Sequence, residues 1–348
     1  MRIGFFTDSY FPEIDGVTYT LKLWKERLEK KGHEVFIIYP ESNEYEPEEN
    51  EIPVKSISNP FYEGYNLAVS MSSKRFPDDL DIVHCHSPGT IGVGGRIHAY
   101  RNNIPTVYTH HTPLEEYFIH AVKSKLLADL LGRLYLPLES YFLKSFDQVT
   151  ASTEEIPRNV ETQKLAVGID LEFFQPQDTS FVNELDMNRP IIGYSGRISP
   201  EKNIDEFVAI ADEIDGSFLI VGEGPQKEQL VEDAPENVKF MEFLDREKLP
   251  EFYSGIDLFI TASTGDTLGL SPLEANACGT PVVAPNVYPF NNTMKSQNGE
   301  KYSRDTERSM NLKIEKALSK DYRTRDAVKK YSLSETINQL EELYEELI

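Results

Sequence analysis

Ile191-Ile192-Gly193-Tyr194-Ser195-Gly196-Arg197-Ile198-Ser199-Pro200-Glu201-Lys202-Asn203 carries the reading of the fold. A short β-branched and aromatic run, Ile191–Ser195, stops at a glycine and passes through a tight turn into residues that suit a helix. The same order recurs along the chain. Candidate strands precede it at Ile3–Thr7, Glu34–Tyr39, Val54–Ser58, Asp81–Cys85, Thr106–His110, Gln148–Ala151 and Lys164–Val167. Others follow it at Ser217–Val221, Val238–Phe243, Leu258–Ala262 and Pro281–Ala284. Strands that alternate with helical stretches predict an α/β chain with mostly parallel, doubly wound sheets and crossover helices. The strands are too many for one sheet and fall into two groups, and 348 residues suit two domains at roughly 100–200 residues each. The expected domains are 1–172 together with 332–348, and 173–331, with Gly168–Pro176 as the linker.

Composition narrows the function. Hydrophobic residues are 39% and charged residues 27%, which supports a sizeable core and excludes a wholly disordered chain. The 35 basic and 58 acidic residues give a net charge of −23. Bulk nucleic-acid binding is excluded, because it is driven by basic side chains that displace phosphate counterions. No run approaches the ~18 uninterrupted apolar residues of a membrane span. Met1–Phe6 leads into polar and acidic residues, unlike a secretory signal, and Cys85 and Cys278 cannot build a disulfide framework. A cytoplasmic chain is expected.

In open α/β sheets ligands bind beyond the carboxyl ends of strands, with anions favoured at helix N-termini. Thr7–Gly16 follows the first strand, and Gly16 directly precedes the helix marked by Val17, Leu21, Trp24 and Leu28. Gly16 leaves room for a close ligand; a plain helix entry is the alternative. His84 and His86 share a strand face, and His110 and His111 end the next strand. They suit either a polar pocket wall or, lacking a carboxylate or cysteine at fixed spacing, an incomplete metal set.

Arg197 and Lys202, at an expected helix entry, suit a diphosphate, the alternative being two exposed surface cations. Val221-Gly222-Glu223-Gly224-Pro225 is a second glycine-rich strand end, common in such turns. In Asp266–Gly279 a carboxylate follows a strand end, then Leu268-Gly269-Leu270, then a helix holding Glu274. Backbone N–H groups at 268–270 suit a phosphate or sugar, and Glu274 suits a ribose diol. Ser271, Pro272 and Glu274 equally read as a capping box, in which Glu274 serves only backbone donors. His120–Lys144, rich in Leu, Tyr and Phe with Lys123, Lys125, Arg133 and Lys144, reads either as an interfacial helix at a lipid surface or as a core helix with exposed cations.

Together, Gly196-Arg197 with Glu201-Lys202-Asn203, Val221–Pro225, Gly269-Leu270 with Leu273-Glu274-Ala275, and Ala277–Val283 resemble the retaining glycosyltransferases of family 4, across almost the whole chain. Within that family Tyr108–Tyr117 is similar to glycolipid synthases that glucosylate diacylglycerol. The resemblance implies a GT-B fold, two Rossmann-like domains facing across a cleft, with the closing helix crossing back onto the N-terminal domain. It implies donor contacts at Gly16, Gly196, Arg197, Lys202, Gly222, Phe243, Asp266, Leu268, Gly269, Leu270 and Glu274. Of these, Arg197 and Lys202 would hold the diphosphate, Glu274 the ribose, and Glu242 and Phe243 the base. Asp266 and His111 would lie by the transferred sugar, and Asp8, Tyr10, His86, His110 and His111 on the acceptor side.

The resemblance further implies transfer of a hexose, with UDP-glucose as the expected donor, to a lipid or glycan hydroxyl. It implies no cofactor and no metal, because cations and helix amides stabilise the leaving diphosphate. Membrane contact through 120–144 would put the enzyme at the cytoplasmic face. Two features depart from the family: Asp266 stands where it has glutamate, and Asn286–Phe290 replaces a Gly-Gly turn. An NDP-sugar epimerase or hydrolase on the same fold, or a non-catalytic nucleotide-sugar-binding protein, are the competing readings.

Overall fold

The computed structural model describes residues 1–13, 16–58, 66–69, 76–111, 125–152, 159–266, 268–306 and 308–348, with the side chains of 125–131 outside the description. The chain forms two compact units: Met1–Gly168 with Leu333–Ile348, and Ile169–Ser332. Each is built on a parallel sheet.

In the first unit the strands are β1 (Arg2–Phe6), β2 (Glu34–Pro40), β3 (Glu51–Val54), β6 (Ile82–Cys85), β7 (Thr106–His110), β8 (Gln148–Ala151) and β9 (Gln163–Lys164). They lie in the order β3-β2-β1-β6-β7-β8-β9, all pairings parallel. β1, β2, β6 and β7 are buried along nearly their whole length, as sheets covered on both faces require. The expected Val54–Ser58 strand divides. Val54 ends β3, whereas β4 (Ser56–Ser58) pairs antiparallel with β5 (Asn66–Ala68) in a separate ribbon. Pro53 is tolerated in β3 because β3 is an edge strand.

Helix α1 (Gly16–Lys30) buries Leu21, Trp24 and Leu28, and the chain turns after it at Gly32, whose φ of 91° suits glycine. Trp24 donates its indole N–H to the Val167 carbonyl at 2.8 Å. Helices α2 (Thr90–Asn102) and α3 (Lys125–Leu143) follow α1 among the described residues of this unit.

The second unit has β10 (Ile191–Ser195), β11 (Ser217–Val221), β12 (Val238–Met241), β13 (Leu258–Ile260), β14 (Val282–Pro285) and β15 (Gly299–Tyr302). The order is β12-β11-β10-β13-β14-β15, again all parallel. This is the Rossmann order, and its direction reverses between β10 and β13, as the first sheet reverses between β1 and β6. β15 was not among the expected strands. Its Glu300 is buried yet charged, held by Lys316 at 2.8 Å with Lys313 and Lys320 at 3.5 Å, which keep its carboxyl below the usual range against the effect of burial. Helices α4 (Ile204–Val208), α5 (Lys227–Asp233), α6 (Leu249–Gly255), α7 (Leu270–Ala277) and α8 (Ser309–Leu318) flank the sheet. The Gly168–Pro176 segment enters this unit at Ile169, whose N–H binds the Tyr331 carbonyl at 2.7 Å.

The last helix, α9 (Leu333–Leu347), belongs to the first unit. Glu341 accepts from Lys31 and His33, and the Tyr344 hydroxyl reaches Nδ1 of His84 at 2.6 Å. A buried chain of hydrogen bonds continues from there. Nε2 of His84 faces the Thr109 hydroxyl at 2.6 Å, which meets Thr150 Oγ1 at 2.7 Å, and Thr150 donates to the Tyr108 carbonyl at 3.5 Å. Read from that carbonyl backwards, each hydroxyl donates once and His84 carries its proton on Nε2, so Nδ1 must receive the Tyr344 O–H. Tyr344→Phe leaves this buried nitrogen without a donor and should cost about 1–3 kcal/mol. Trp24, the single tryptophan, lies in this unit and its fluorescence reports the loss in a denaturant titration.

Candidate functional site

Parallel pairing brings the carboxyl ends of β10 and β13 side by side. The loops that leave them are tied together. Thr264 N–H binds the Glu201 carbonyl at 3.0 Å, and the Asn203 amide binds the Ala262 carbonyl at 3.0 Å. Between these ties Lys202 Nζ sits 2.8 Å from Asp266 Oδ1, both side chains partly exposed. Arg197 is exposed on the same loop, whose turn is held by the Tyr194 hydroxyl on the Arg197 carbonyl at 2.9 Å. The expected helix entry is modest. Pro200–Lys202 is a single 3₁₀ turn, Asn203 is left-handed at φ 48°, and α4 has five residues with Asp205 and Glu206 in its first turn. A helix this short adds little dipole, so the positive field here comes from the two side chains.

The glycines of the two strand ends interlock. Gly196 N–H binds the Val221 carbonyl at 3.0 Å and Ile198 N–H binds the Glu223 carbonyl at 2.8 Å. A Cβ on Gly222 would meet the Gly196 carbonyl oxygen at 1.9 Å, and one on Gly224 the Ile198 oxygen at 2.2 Å. Close backbone packing therefore accounts for Gly222 without a ligand. Phe243 lies beyond the end of β12, which stops at Met241 rather than continuing as expected, and its ring is exposed.

Leu268 is buried, Gly269 precedes α7 at φ 77°, and Leu270 opens the helix. The capping-box alternative does not form: the N-cap is Gly269, not Ser271, and Glu274 lies in the helix body. The Glu274 carboxylate instead accepts from the Tyr253 hydroxyl on α6 at 3.0 Å. Ser195 and Ser271 also reach that hydroxyl. Burial pushes the Glu274 carboxyl up to about 7, against the Tyr253 hydrogen bond and the charge of Arg246, which lower it. Arg246 also lies over the Phe173 ring, 4.2 Å from its centroid. Tyr253 and Arg246 carried no motif, since each meets Glu274 only through the fold.

In the first unit Asp8 and Tyr10 are committed to the fold. Asp8 follows β1 and its carboxylate accepts from Ile91 N–H at 2.9 Å, Gly92 N–H at 3.4 Å and the Ser87 hydroxyl at 2.5 Å. It thus completes the N-terminus of α2, whose own N-cap is Gly89 with no side chain to offer. Burial raises its carboxyl despite those hydrogen bonds. Tyr10 is buried and donates to Glu51 Oε1 at 2.7 Å, while Tyr45 donates to Oε2 at 2.9 Å.

The histidines gather as the strand ends suggested. His84 and His86 have ring centroids 4.1 Å apart, and His86 Nδ1 is 3.0 Å from His111 Nε2. Trp24 packs within 6.3 Å of all three rings. Burial lowers His84 and His86 well below the ordinary imidazole range and His111 to about 3, so all three are neutral at pH 7. His110 is buried nearby, 3.9 Å from Glu139. Among the described residues no group of three or more His, Cys, Asp or Glu is arranged to hold a metal ion.

Gly16 is the exposed first residue of α1. Thr112, Thr267 and residues 120–124 of the expected lipid-facing helix lie outside the described residues. From 132 onward α3 has a buried side and an exposed side. Leu143 is buried, and Phe142 packs on Tyr108 and Phe146, whereas Leu134, Leu138 and Tyr141 are exposed at 61%, 69% and 81%. No helix among the described residues is long and apolar enough to cross a membrane.

The ordinary Glu274 value is 4.5 and the folded one about 7, so between those pH values the native state keeps a proton that the unfolded chain releases. The carboxyl therefore costs increasing stability as pH rises through that window. Glu274→Gln should raise Tm relative to the parent at pH 8 and change it little at pH 4, in paired thermal unfolding scans.

Comparison with known proteins follows this geometry. The family described as Glycosyl transferases group 1 matches residues 176–334, and Glycosyltransferase Family 4 matches residues 14–166. The alpha-monoglucosyldiacylglycerol synthase of Streptococcus pneumoniae is 31% identical over 319 residues, covering 82% of this chain and 71% of that protein. A GDP-mannose-dependent alpha-mannosyltransferase of Mycobacterium tuberculosis is 27% identical over 316 residues, covering 82% and 79%. Among solved structures, sucrose-phosphate synthase from Thermosynechococcus elongatus superposes with a TM-score of 0.77 at 18% identity, covering 99% of this chain and 98% of that one. The two Rossmann sheets and these matches over both halves make the chain a member of the group 1, family 4 glycosyltransferases of the GT-B fold.

Proposed function

We propose that the protein is a retaining hexosyltransferase that moves glucose from UDP-glucose to a hydroxyl of a lipid such as diacylglycerol. The observation that carries the donor half is the Lys202–Asp266 pair at the switch point of the second sheet, with Arg197 on the same loop. In this reading Arg197 and Lys202 neutralise the leaving diphosphate, which competes with Asp266 for the Lys202 ammonium. The amides of 268–270 at the start of α7 and the Gly196 turn complete the charge stabilisation. Glu274 accepts from the ribose, Phe243 borders the base, and Asp266 and His111 line the hexose, with Gly16 leaving the donor phosphate room. The acceptor oxygen bonds to the anomeric carbon on the face the diphosphate leaves, as the bond from that carbon to the diphosphate oxygen breaks and the hydroxyl proton passes to the departing diphosphate, so the anomeric configuration is retained, with no cofactor and no metal ion.

Lipid as the acceptor class is supported by the name of the 31% identical relative. It is also supported by the exposed stripe of Leu134, Leu138 and Tyr141, flanked by exposed Arg133 and Lys144. Apolar side chains between cations suit a helix lying in the headgroup layer of a membrane. We place the working enzyme at the cytoplasmic face of that membrane.

Labelled UDP-glucose and labelled GDP-mannose, each given with a total lipid extract, should transfer label to the organic phase from UDP-glucose, unaffected by EDTA. Label that stays aqueous with the donor intact would point to a soluble or glycan acceptor; donor consumed without transfer would point to a hydrolase or epimerase. Lys202→Ala should lower kcat about 10²-fold or more, the scale of one lost charge-stabilising donor. Its Tm should barely change, because a partly exposed ion pair contributes only ~0–1 kcal/mol. Replacing Leu134, Leu138 and Tyr141 together by Ser should abolish flotation with vesicles of phosphatidylglycerol and diacylglycerol. The same variant should retain transfer to a short-chain, water-soluble diacylglycerol.

A further inference from the structure

His86 and His111 form a contact that His84 does not share. Both nitrogens of His84 are taken, by Tyr344 and Thr109. His86 has Nδ1 at 3.0 Å from Nε2 of His111, and its own Nε2 is buried with no hydrogen-bond partner among the described residues. The His86 ring is 96% buried, wedged between the Phe5 ring at 5.0 Å, His84 at 4.1 Å and Trp24 at 5.8 Å. It is therefore packed on three sides by rings.

A contact between two neutral imidazoles needs one N–H and one lone pair. If His111 donated from Nε2, His86 would carry its remaining proton on Nε2, an N–H buried with nothing to receive it. If His86 donates from Nδ1, its Nε2 is a bare lone pair. Buried donors without acceptors are rarer in folded proteins than under-used acceptors. We propose that His86 is a positioning residue: it donates its Nδ1–H to Nε2 of His111 and so holds His111 with its proton on Nδ1.

His111 then offers a hydrogen-bond donor while uncharged, and it does so across the neutral pH range, since burial keeps both rings neutral. For a hydroxylated ligand this decides polarity: the oxygen opposite His111 accepts. The consequence for catalysis rests on the reading that His111 lines the transferred hexose; the tautomer itself does not.

Protein labelled with ¹⁵N-histidine, in long-range ¹H–¹⁵N correlation spectra, separates the two. The expected spectrum shows His86 and His111 each protonated on Nδ1, with His111 Nε2 as the accepting nitrogen. In His86→Phe the His111 pattern should move to the Nε2–H form, and His86→Asn, whose amide can still donate, should restore it. His111 protonated on Nε2 in the parent protein, or unchanged in His86→Phe, would overturn the proposal. The parent spectrum decides alone if the Phe variant fails to fold. Kinetics of transfer from UDP-glucose then test the catalytic reading. A tautomer change with kcat at least 10-fold lower and donor KM nearly constant supports both statements. A tautomer change with unaltered kcat keeps His86 as the positioning residue and removes His111 from the sugar site.

Discussion

Lys202 and Asp266 meet because β10 is hydrogen-bonded on one side to β11 and on the other to β13, all three running the same way. Parallel pairing is the constraint from which the rest follows. It sends every strand of a sheet out at the same edge, and the crossover helices must return on either face. Where the winding reverses, two neighbouring loops diverge to opposite faces and leave an opening no backbone fills. Residues 64 positions apart in the chain reach hydrogen-bonding distance there without any local motif connecting them.

The two sheets use that opening differently. In the second, it holds a partly exposed ion pair on loops pinned by backbone bonds, Thr264 to Glu201 and Asn203 to Ala262. In the first, Asp8 from the β1 end crosses to the loop after β6 and takes the free amides of α2 together with the Ser87 hydroxyl. Gly89 is shaped by this: a Cβ there would lie 2.6 Å from the Asp8 carboxylate. The polar capacity of the first unit lies one strand further on, where His86 and His111 line up beside Trp24.

Most of the architecture was legible because buried parallel strands are continuous apolar runs, and Ile3–Phe6, Val35–Tyr39 and Phe218–Val221 could be little else. The edges were not. β15 reads Gly-Glu-Lys-Tyr and β3 contains Glu51 and Pro53; both are strands because a neighbour supplies one side of the ladder and because lysines or tyrosines satisfy their buried acids. Site residues divide in the same way. Arg197, Lys202, Asp266 and Glu274 stand in short motifs at strand ends, so their grouping on one edge could be read. Tyr253 and Arg246, which oppose the effect of burial on Glu274, lie in α6 and just before it and have no spacing relation to it. The family resemblance puts Asp8 and Tyr10 on the acceptor side, and nothing local to them shows that Ile91 and Glu51 come to meet them.

Glu274 and Asp8 separate a structural carboxylate from one with capacity to spare. Both are crowded by protein and both have their carboxyl raised by it. Asp8 uses Oδ1 on Ile91 and Oδ2 on Gly92 and Ser87, so both of its oxygens are engaged within the fold. Glu274 receives Tyr253 at Oε2, and Oε1 takes no hydrogen bond from a described residue. A carboxylate held near its midpoint at neutral pH, with one oxygen fixed and one unspent, is stabilised in its ionised form by any ligand that brings hydroxyl donors to it. Glu274 therefore keeps a hydrogen-bonding capacity that Asp8 has spent on its own fold.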